Sequence, residues 1–499
     1  MSTIEMPKPD RSVIDRKALI VDALCKVLPF DSVIFDEHET RAYECDGLTA
    51  YRCPPMVAVL PRTSQECAAA MRVCHEMNVT VVPRGAGTSL AGGALPTADC
   101  VILGTARLKD VLEVDYDNRI IRVQTGVTNL SVTGMVEDDG YFYAPDPSSQ
   151  LACAIAGNIA MNSGGAHCLK YGVTTNNLLG VKMVMSDGEI VEIGGGAMDA
   201  PDLDLLGLIC GSEGQLGIVT EATLRILPKP EGARPVLIGF DSAEAAGECV
   251  GNIIKSGVLP VAIEYMDRPC IRVVEKFAKA GYPLCEALLI VEVEGSEAEI
   301  ADQLSRITKI ARALNPVEVR VSESAEQSAL IWKGRKSAFG AMGQINDYMC
   351  LDGTVPVSEL PYTLKRIGEL SKQHGLDVAN VFHAGDGNLH PLILYRASEQ
   401  GVNERVKALG GAIMNLCLEV GGSISGEHGV GSDKRCYLDQ MFRAEDLVTM
   451  QWVRLAFDPL GRANPGKIFP TPQSCGESLR RSVQLQAEGQ SLPEEAIVY

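Results

Sequence analysis

The chain has 499 residues, 46% hydrophobic and 22% charged, which is enough for two or three domains with sizeable cores and ordinary for a soluble globular protein. Its formal net charge of −19 argues against nucleic acid or anionic lipid as a direct partner. An anionic substrate would need local Arg and Lys to overturn that field inside its pocket.

The amino terminus, MSTIEMPKPDRS, lacks the basic-then-apolar order of a secretory signal. Apolar pieces such as Ala287 to Val291 fall far short of the roughly 18 residues a membrane span needs, so any membrane attachment is expected to be peripheral or through a partner. Sixteen Cys without an export signal read as mostly free thiols in a reducing cytoplasm. None forms a CxxC pair, so no iron–sulfur cluster of the chain's own is expected.

Apolar residues at helical spacing predict a helix over 12–28. MVAVL (56–60) reads as a strand, SQECAAAMRVCHEMN (64–78) as an amphipathic helix started by Ser64, and Val79 to Val82 as a second strand, together a β-α-β unit. That strand runs into PRGAGTSLAGG (83–93), where small residues leave backbone amides uncovered. Pro83, Arg84, Gly85, Ala86, Gly87, Thr88, Ser89 and Gly92 thus make a loop able to cradle phosphate, with Arg84 adding a charge-assisted bond. A tight strand-to-strand turn is the alternative. No Lys-Ser/Thr pair closes the loop as a P-loop requires, and no acidic residue follows at the Rossmann distance.

CVILGTARL, VLEVDYDN and IIRVQTGV (100–127) read as successive strands, followed by a helix in LSVTGMVEDDG. Pro145 and Pro147 then prevent regular structure, and His167 reads as a packed histidine. VKMVMSDGEIVEIGG (181–195) is a hairpin turning on Asp187-Gly188, and Pro228 and Pro230 mark a linker. Beyond it, strands alternate with helices over 243–256, near 270–280 and over 297–314, the rhythm of an α/β domain.

The run 83–93, with PDPSS (145–149), GNIAMNSGG (157–165) and GSEGQLGIVTEATL (211–224) in that order, resembles the FAD domain of the vanillyl-alcohol oxidase or PCMH flavoprotein family. The resemblance implies FAD as cofactor. It sets Pro147, Ser148, Gly157, Asn158, Ser163 and Gly164 beside the pyrophosphate and flavin ring, and Gly217, Ile218 and Val219 along the adenine or ribose end. Several relatives bond flavin covalently through a His just after the glycine pair; Thr88 stands there in this chain, which implies dissociable FAD. The fold expected is α+β. A two-part PCMH-type FAD-binding domain covers 51–230, and a cap resembling the FAD-oxidase carboxyl-terminal domain, α/β on an antiparallel sheet, covers 231–470. A helical segment (1–50) precedes them and a polar tail (471–499), a possible docking strap, follows.

Three of the seven His lie in two short glycine-rich motifs, HAGDGNLH (383–390) and GEHG (426–429). DVANVF and LHPLILY read as strands joined by a tight turn from Ala384 to Asn388, which sets His383 and His390 at the two sides of one mouth. Two imidazoles and a carboxylate on glycine-flanked loops form an open metal site, with Glu427 the best carboxylate. The alternative is a pair of histidines that only stabilise the hairpin.

Both motifs resemble those of the D-2-hydroxyacid dehydrogenases of the same family. That resemblance implies that His383, His390 and Glu427 bind a divalent metal (Zn, Fe or Mn) and that His428 is the general base, with Asn388 holding the substrate oxygen or a water. Arg335, in IWKGRKSAFGAM, matches the family's carboxylate-binding Arg, whose fork suits bidentate binding; Lys333 and Lys336 are alternatives or simply a basic helix face. Where relatives that use a dicarboxylate carry another cation, this chain offers Cys350, which favours a small monocarboxylate over 2-hydroxyglutarate. Lys467, in NPGKIF (464–469), is assigned packing only.

The resemblance extends from about residue 50 to 470, and it implies FAD-dependent oxidation of glycolate, with D-lactate as second substrate, to the 2-oxo acid by hydride transfer to flavin. It also implies a smaller FAD-binding subunit and an iron–sulfur subunit as partners. These would take the electrons and bring the chain to the cytoplasmic side of the inner membrane. A stand-alone D-lactate or D-2-hydroxyglutarate dehydrogenase is the nearest alternative. A non-catalytic flavin relay is another, but it would not need the histidine and glutamate set.

Overall fold

The computed structural model describes residues 6–197 and 203–470. The tail over 471–499 lies outside the described residues. The chain forms two compact units. One comprises Gly164–Gly172 with Lys229–Glu427; the other comprises the described residues before Gly164, Val173–Pro228, and those from His428 onward.

The second of these is built on two sheets. In the first, strands Val33–Ile34, Val57–Val59, Val101–Gly104 and Val81–Arg84 lie in that spatial order, the last three parallel. Helix Ser64–Glu76 connects two of them and buries Cys67, Ala70, Met71 and Cys74 against Val57, Val59, Val81 and Val101. Its cap is Thr63 and not Ser64, because Thr63 is extended and its side chain accepts the Glu66 amide at 3.1 Å. Ser64 is already helical, and its hydroxyl is buried against Thr220 Oγ1 at 2.8 Å. The strand expected at 79–82 forms two residues later and takes in Pro83, which is tolerated because this strand lies at the edge of the sheet.

The helix expected over 12–28 is two helices, Arg11–Ile14 and Lys17–Val27. Arg16 breaks it: its amide bonds back three residues to Val13, and its guanidinium is drawn to the Ser12 and Met77 carbonyls.

The other sheet of this unit is antiparallel, ordered Val111–Asp115, Ile120–Gln124, Ile218–Arg225, Leu178–Val184, Ile190–Gly194. The predicted hairpin closes in register at Val184 and Ile190, with Gly188 at φ +87° in its turn. Helix Ile155–Met161 packs Ile155 and Ile159 into the core beneath this sheet with Val123, Met183 and Leu224.

The first unit is a nine-stranded sheet ordered Glu318–Val321, Gly232–Phe240, Ala287–Gly295, Ala262–Asp267, Val378–His383, Asn388–Leu389, Gly353–Thr354 along its main path. Every pairing in it is antiparallel. The helices expected after each strand form as Ala243–Lys255, Arg268–Ala278 and Glu297–Arg312. Ser242, Asp267 and Ser296 cap them, the last in a reciprocal capping box with Glu299. Strand Ala287–Gly295 is buried along eight of its nine positions, as a central strand covered on both faces must be.

Every cysteine among the described residues is a free thiol. Among those residues no helix is long and apolar enough to cross a membrane.

Candidate functional site

In the unit that holds residues 6–163, the glycine-rich runs converge. A Cβ on Gly85 would stand 3.1 Å from the Gly157 amide nitrogen, one on Gly214 would strike the Pro83 ring, and one on Gly93 would strike Met161. Asn129 binds the third run into the same place, giving its amide to the Pro145 carbonyl and to Asn158 Oδ1, each at 3.1 Å. Gly87 and Gly92 both sit at φ +74°, where L side chains are strained.

Among the described residues, the backbone amides of Gly85, Ala86, Gly87, Thr88 and Ser89 donate to no protein acceptor. Five successive uncommitted donors in a half-exposed loop suit an anion such as a pyrophosphate. The Ser148 amide is uncommitted in the same sense.

Other residues expected at the cofactor are already engaged with protein. Arg84 donates to the Cys45 carbonyl at 2.8 Å and lies 5.7 Å over the Tyr43 ring. Burial holds its guanidinium below the usual range, against the pull of Asp46. The Asn158 side chain is buried between Asn129 and Cys153. The Ser163 carbonyl accepts both the amide and the hydroxyl of Thr174. Gly217, at φ +140°, faces Met183 and the Val184 carbonyl, while Ile218 and Val219 begin the strand beside it. Gly164 belongs to the other compact unit.

The histidine motif grows from strand register. Glu264 pairs with His383 across neighbouring strands, His383 with Asn388, and Asn388 with Thr354, so these four side chains share one face of the sheet. The turn between is tight because Gly387, at φ +77°, lies against the Val355 carbonyl and the Asn388 amide bonds to Asp386. His383 and His390 present rings 5.2 Å apart at 86°.

Their Nε2 atoms stand 3.5 Å and 3.2 Å from one oxygen of Glu427. Their Nδ1 atoms are held from behind, His383 by Glu264 at 2.7 Å and His390 by the Leu351 carbonyl at 3.3 Å. Asp352, fully buried, fixes the loop that brings Glu427: it accepts the Ser425 hydroxyl at 2.6 Å and the Glu427 amide at 3.2 Å.

One nitrogen from each histidine and one Glu427 oxygen all lie within 4.8 Å of one another. Two imidazoles with Nδ1 tied and Nε2 turned inward, plus one carboxylate, are a donor set for a divalent cation. Asn388 adds a buried Oδ1 that has no partner among the described residues. Gly426 is required beside it, since a Cβ there would fall inside the Asn388 amide. The residues present therefore fit a metal.

Electrostatics tie the cluster together. Burial alone would push Glu427 up, but hydrogen bonds from the two histidines hold it well below the usual carboxylate range. Burial would push His383 down, but Glu264 and Glu427 hold it well above the usual imidazole value. His428 is half-buried and follows Glu427 directly in the chain.

Arg335 comes from helix Ala325–Gly343, whose Ile331, Arg335, Ala338 and Met342 form the buried face. Its Nε and Nη2 both reach Glu264 at 2.6 Å, so the fork expected to grip a substrate carboxylate is engaged by this chain's own glutamate. Lys333 and Lys336 are exposed on the same helix. Cys350 ends strand Asp347–Cys350 with its thiol toward the Leu351 carbonyl. Lys467 is fully buried and donates to the Leu95 carbonyl at 2.8 Å; burial pulls it down to about 8.

Residues 55–194 match an FAD binding domain family, and residues 229–468 match the family of FAD linked oxidases, C-terminal domain. The chain is similar to a protein of Escherichia coli strain K12 named glycolate oxidase subunit GlcD, 47% identical over 93% of each chain. It is also similar to a D-lactate dehydrogenase of Archaeoglobus fulgidus, 33% identical over 90% of this chain and 98% of that one. Among solved structures, p-cresol methylhydroxylase with substrate bound shares the fold at a TM-score of 0.76 and 15% identity, over 92% of this chain and 97% of that one.

Proposed function

The chain belongs to the FAD-linked oxidases, an α+β flavoprotein family, and from that premise we propose that it oxidises glycolate, and D-lactate beside it, to the 2-oxo acid. The observation that carries the reading is the cluster in which His383 and His390 turn Nε2 toward one Glu427 oxygen while Asn388 Oδ1 stays uncommitted. A 2-hydroxy acid offers what such a cluster selects: a hydroxyl and a carboxylate oxygen able to chelate one cation. The names of the relatives, a glycolate oxidase subunit and a D-lactate dehydrogenase, support the substrate class.

Oxidation removes a hydride from the carbinol carbon and a proton from its hydroxyl. Bound FAD, held without a covalent bond because Thr88 replaces the linking histidine, supplies the hydride acceptor. A divalent metal on His383, His390 and Glu427 would supply Lewis acidity that lowers the hydroxyl pKa. His428 takes the hydroxyl proton; imidazole is the side chain whose ordinary pKa lies nearest neutrality. Arg335 steers the carboxylate through Nη1, the nitrogen not engaged by Glu264. Cys350 leaves no second cation where a dicarboxylate would need one, in keeping with a small monocarboxylate.

Two electrons must leave the flavin in each turnover, and no CxxC pair exists in the sequence to hold a cluster for them. The chain accordingly works as one subunit of a complex. A smaller FAD-binding subunit and an iron–sulfur subunit receive the electrons on the cytoplasmic face of the inner membrane, and the membrane contact is peripheral. Isolation of a lone chain that reduces the physiological acceptor unaided would overturn this part.

The central reading is tested by anaerobic bleaching of the flavin with a panel of glycolate, D-lactate, L-lactate and D-2-hydroxyglutarate. Glycolate and D-lactate should bleach it within a turnover. A flavin that none of the four reduces would end the proposal.

A further inference from the structure

Glu264 was not singled out by the sequence, yet its position is unusual. It sits mid-strand in Ala262–Asp267 with its side chain entirely buried. Each of its oxygens has a different cationic or proton-bearing partner: Oε1 meets His383 Nδ1 at 2.7 Å, while Oε2 meets Arg335 Nε and Nη2, each at 2.6 Å. A carboxylate this deep is costly unless paired, and Arg335 supplies the permanent charge that keeps it an anion.

We propose that Glu264 is a positioning residue that holds the metal-binding imidazole of His383 and the guanidinium of Arg335 with a single carboxylate, fixing the two parts of the site in one register. This rests on the metal reading above. A carboxylate at Nδ1 keeps a hydrogen there, so Nε2, which faces Glu427 at 3.5 Å, is the nitrogen that would give up its proton to a cation. Strand pairing of Glu264 with His383 sets the distance, and the helix carrying Arg335 sets the other end. His390 is backed by the Leu351 carbonyl at 3.3 Å, with a carboxylate oxygen of Asp352 farther off at 4.0 Å, so the two histidines are held by different groups. Glu264 is the group that orients His383.

The bland alternative is that Glu264 merely neutralises a buried arginine. Metal affinity separates the two, with Zn(II) as probe, equilibrium dialysis as the measurement and FAD content as the check on folding. Glu264→Gln should weaken Zn(II) binding by about 10- to 100-fold while FAD stays bound. Arg335→Met, which keeps Glu264 and its bond to His383, should weaken Zn(II) binding less than Glu264→Gln does.

Because Glu264→Gln strands a buried cation, the double variant Glu264→Gln with Arg335→Met removes both ends of the ion pair, and it should show the same loss as the single Gln variant. Zn(II) affinity equal to wild type in both Gln-bearing proteins would overturn the role of Glu264 and leave the metal reading standing. A wild-type chain that takes up no Zn(II) would overturn the metal reading, and this proposal with it.

Discussion

Glu213 accepts the backbone amide of Gly431 at 2.8 Å, and its other oxygen takes the neighbouring amide of Val430 at 2.7 Å. The carboxyl is buried, and burial pushes it up to about 7 from an ordinary 4.5, outweighing those two amides and the nearby Lys434 and Lys467. Between those values the folded chain keeps a proton that the unfolded chain releases. This group's contribution to stability is therefore greatest below pH 4.5 and declines as the pH rises to about 7. The difference is on the order of 3 kcal/mol. Thermal melts of wild type and Glu213→Gln at pH 5 and pH 8 should show a larger loss in the wild type; parallel losses would rule the effect out.

If His428 accepts the hydroxyl proton, His428→Ala should fold, retain FAD and lose turnover by about 100-fold or more. Steady-state rates alongside the flavin spectrum make the comparison. A variant that turns over at the wild-type rate removes His428 from the mechanism.

Chelation of the wild type, or His390→Ala, should abolish reduction of the flavin by substrate. Added divalent metal should restore the chelated wild type and not the variant, whose donor set lacks one Nε2. Full activity in protein shown metal-free by elemental analysis would return the hairpin to a structural role.

Gly426→Ala places a methyl group in the space of the Asn388 amide. Asn388 is confined by its strand pairing to His383 and Thr354, so the conflict should be felt at the cluster and not at the cofactor. A drop in kcat/KM of more than about tenfold with undiminished FAD is expected; an unchanged kcat/KM would show that Asn388 has room to move.

What the sequence made legible was whatever carries its own local signature. Gly87, Gly92 and Gly188 occupy positive φ, where glycine has no side-chain penalty, and the runs around them could be read one by one. The alternation of strand and helix after residue 230 was equally plain. Glu264, Glu213 and Asp352 were not legible. Glu264 and Asp352 are lone carboxylates with no motif of their own, Glu213 is hidden among the glycines of the run 211–224, and the role of each comes from what lies opposite after folding: His383 across a strand pair, Ser425 and Glu427 in one loop, Val430 and Gly431 in another. Arg335 was recognised by its motif, but its fork is already engaged by a partner 71 residues away.

The cysteines carry a consequence for survival under oxidative stress. Burial pushes the thiols of Cys74, Cys100, Cys210, Cys249 and Cys417 up to about 12, and those of Cys67 and Cys270 higher still. Peroxide attacks thiolate, and at neutral pH these seven groups offer essentially none. A reduced flavin that loses electrons to dioxygen generates peroxide at the protein's own centre. Among the described residues, the thiols most open to it stand at half-exposed positions such as Cys45 and Cys436, where oxidation would fall outside the packed interior.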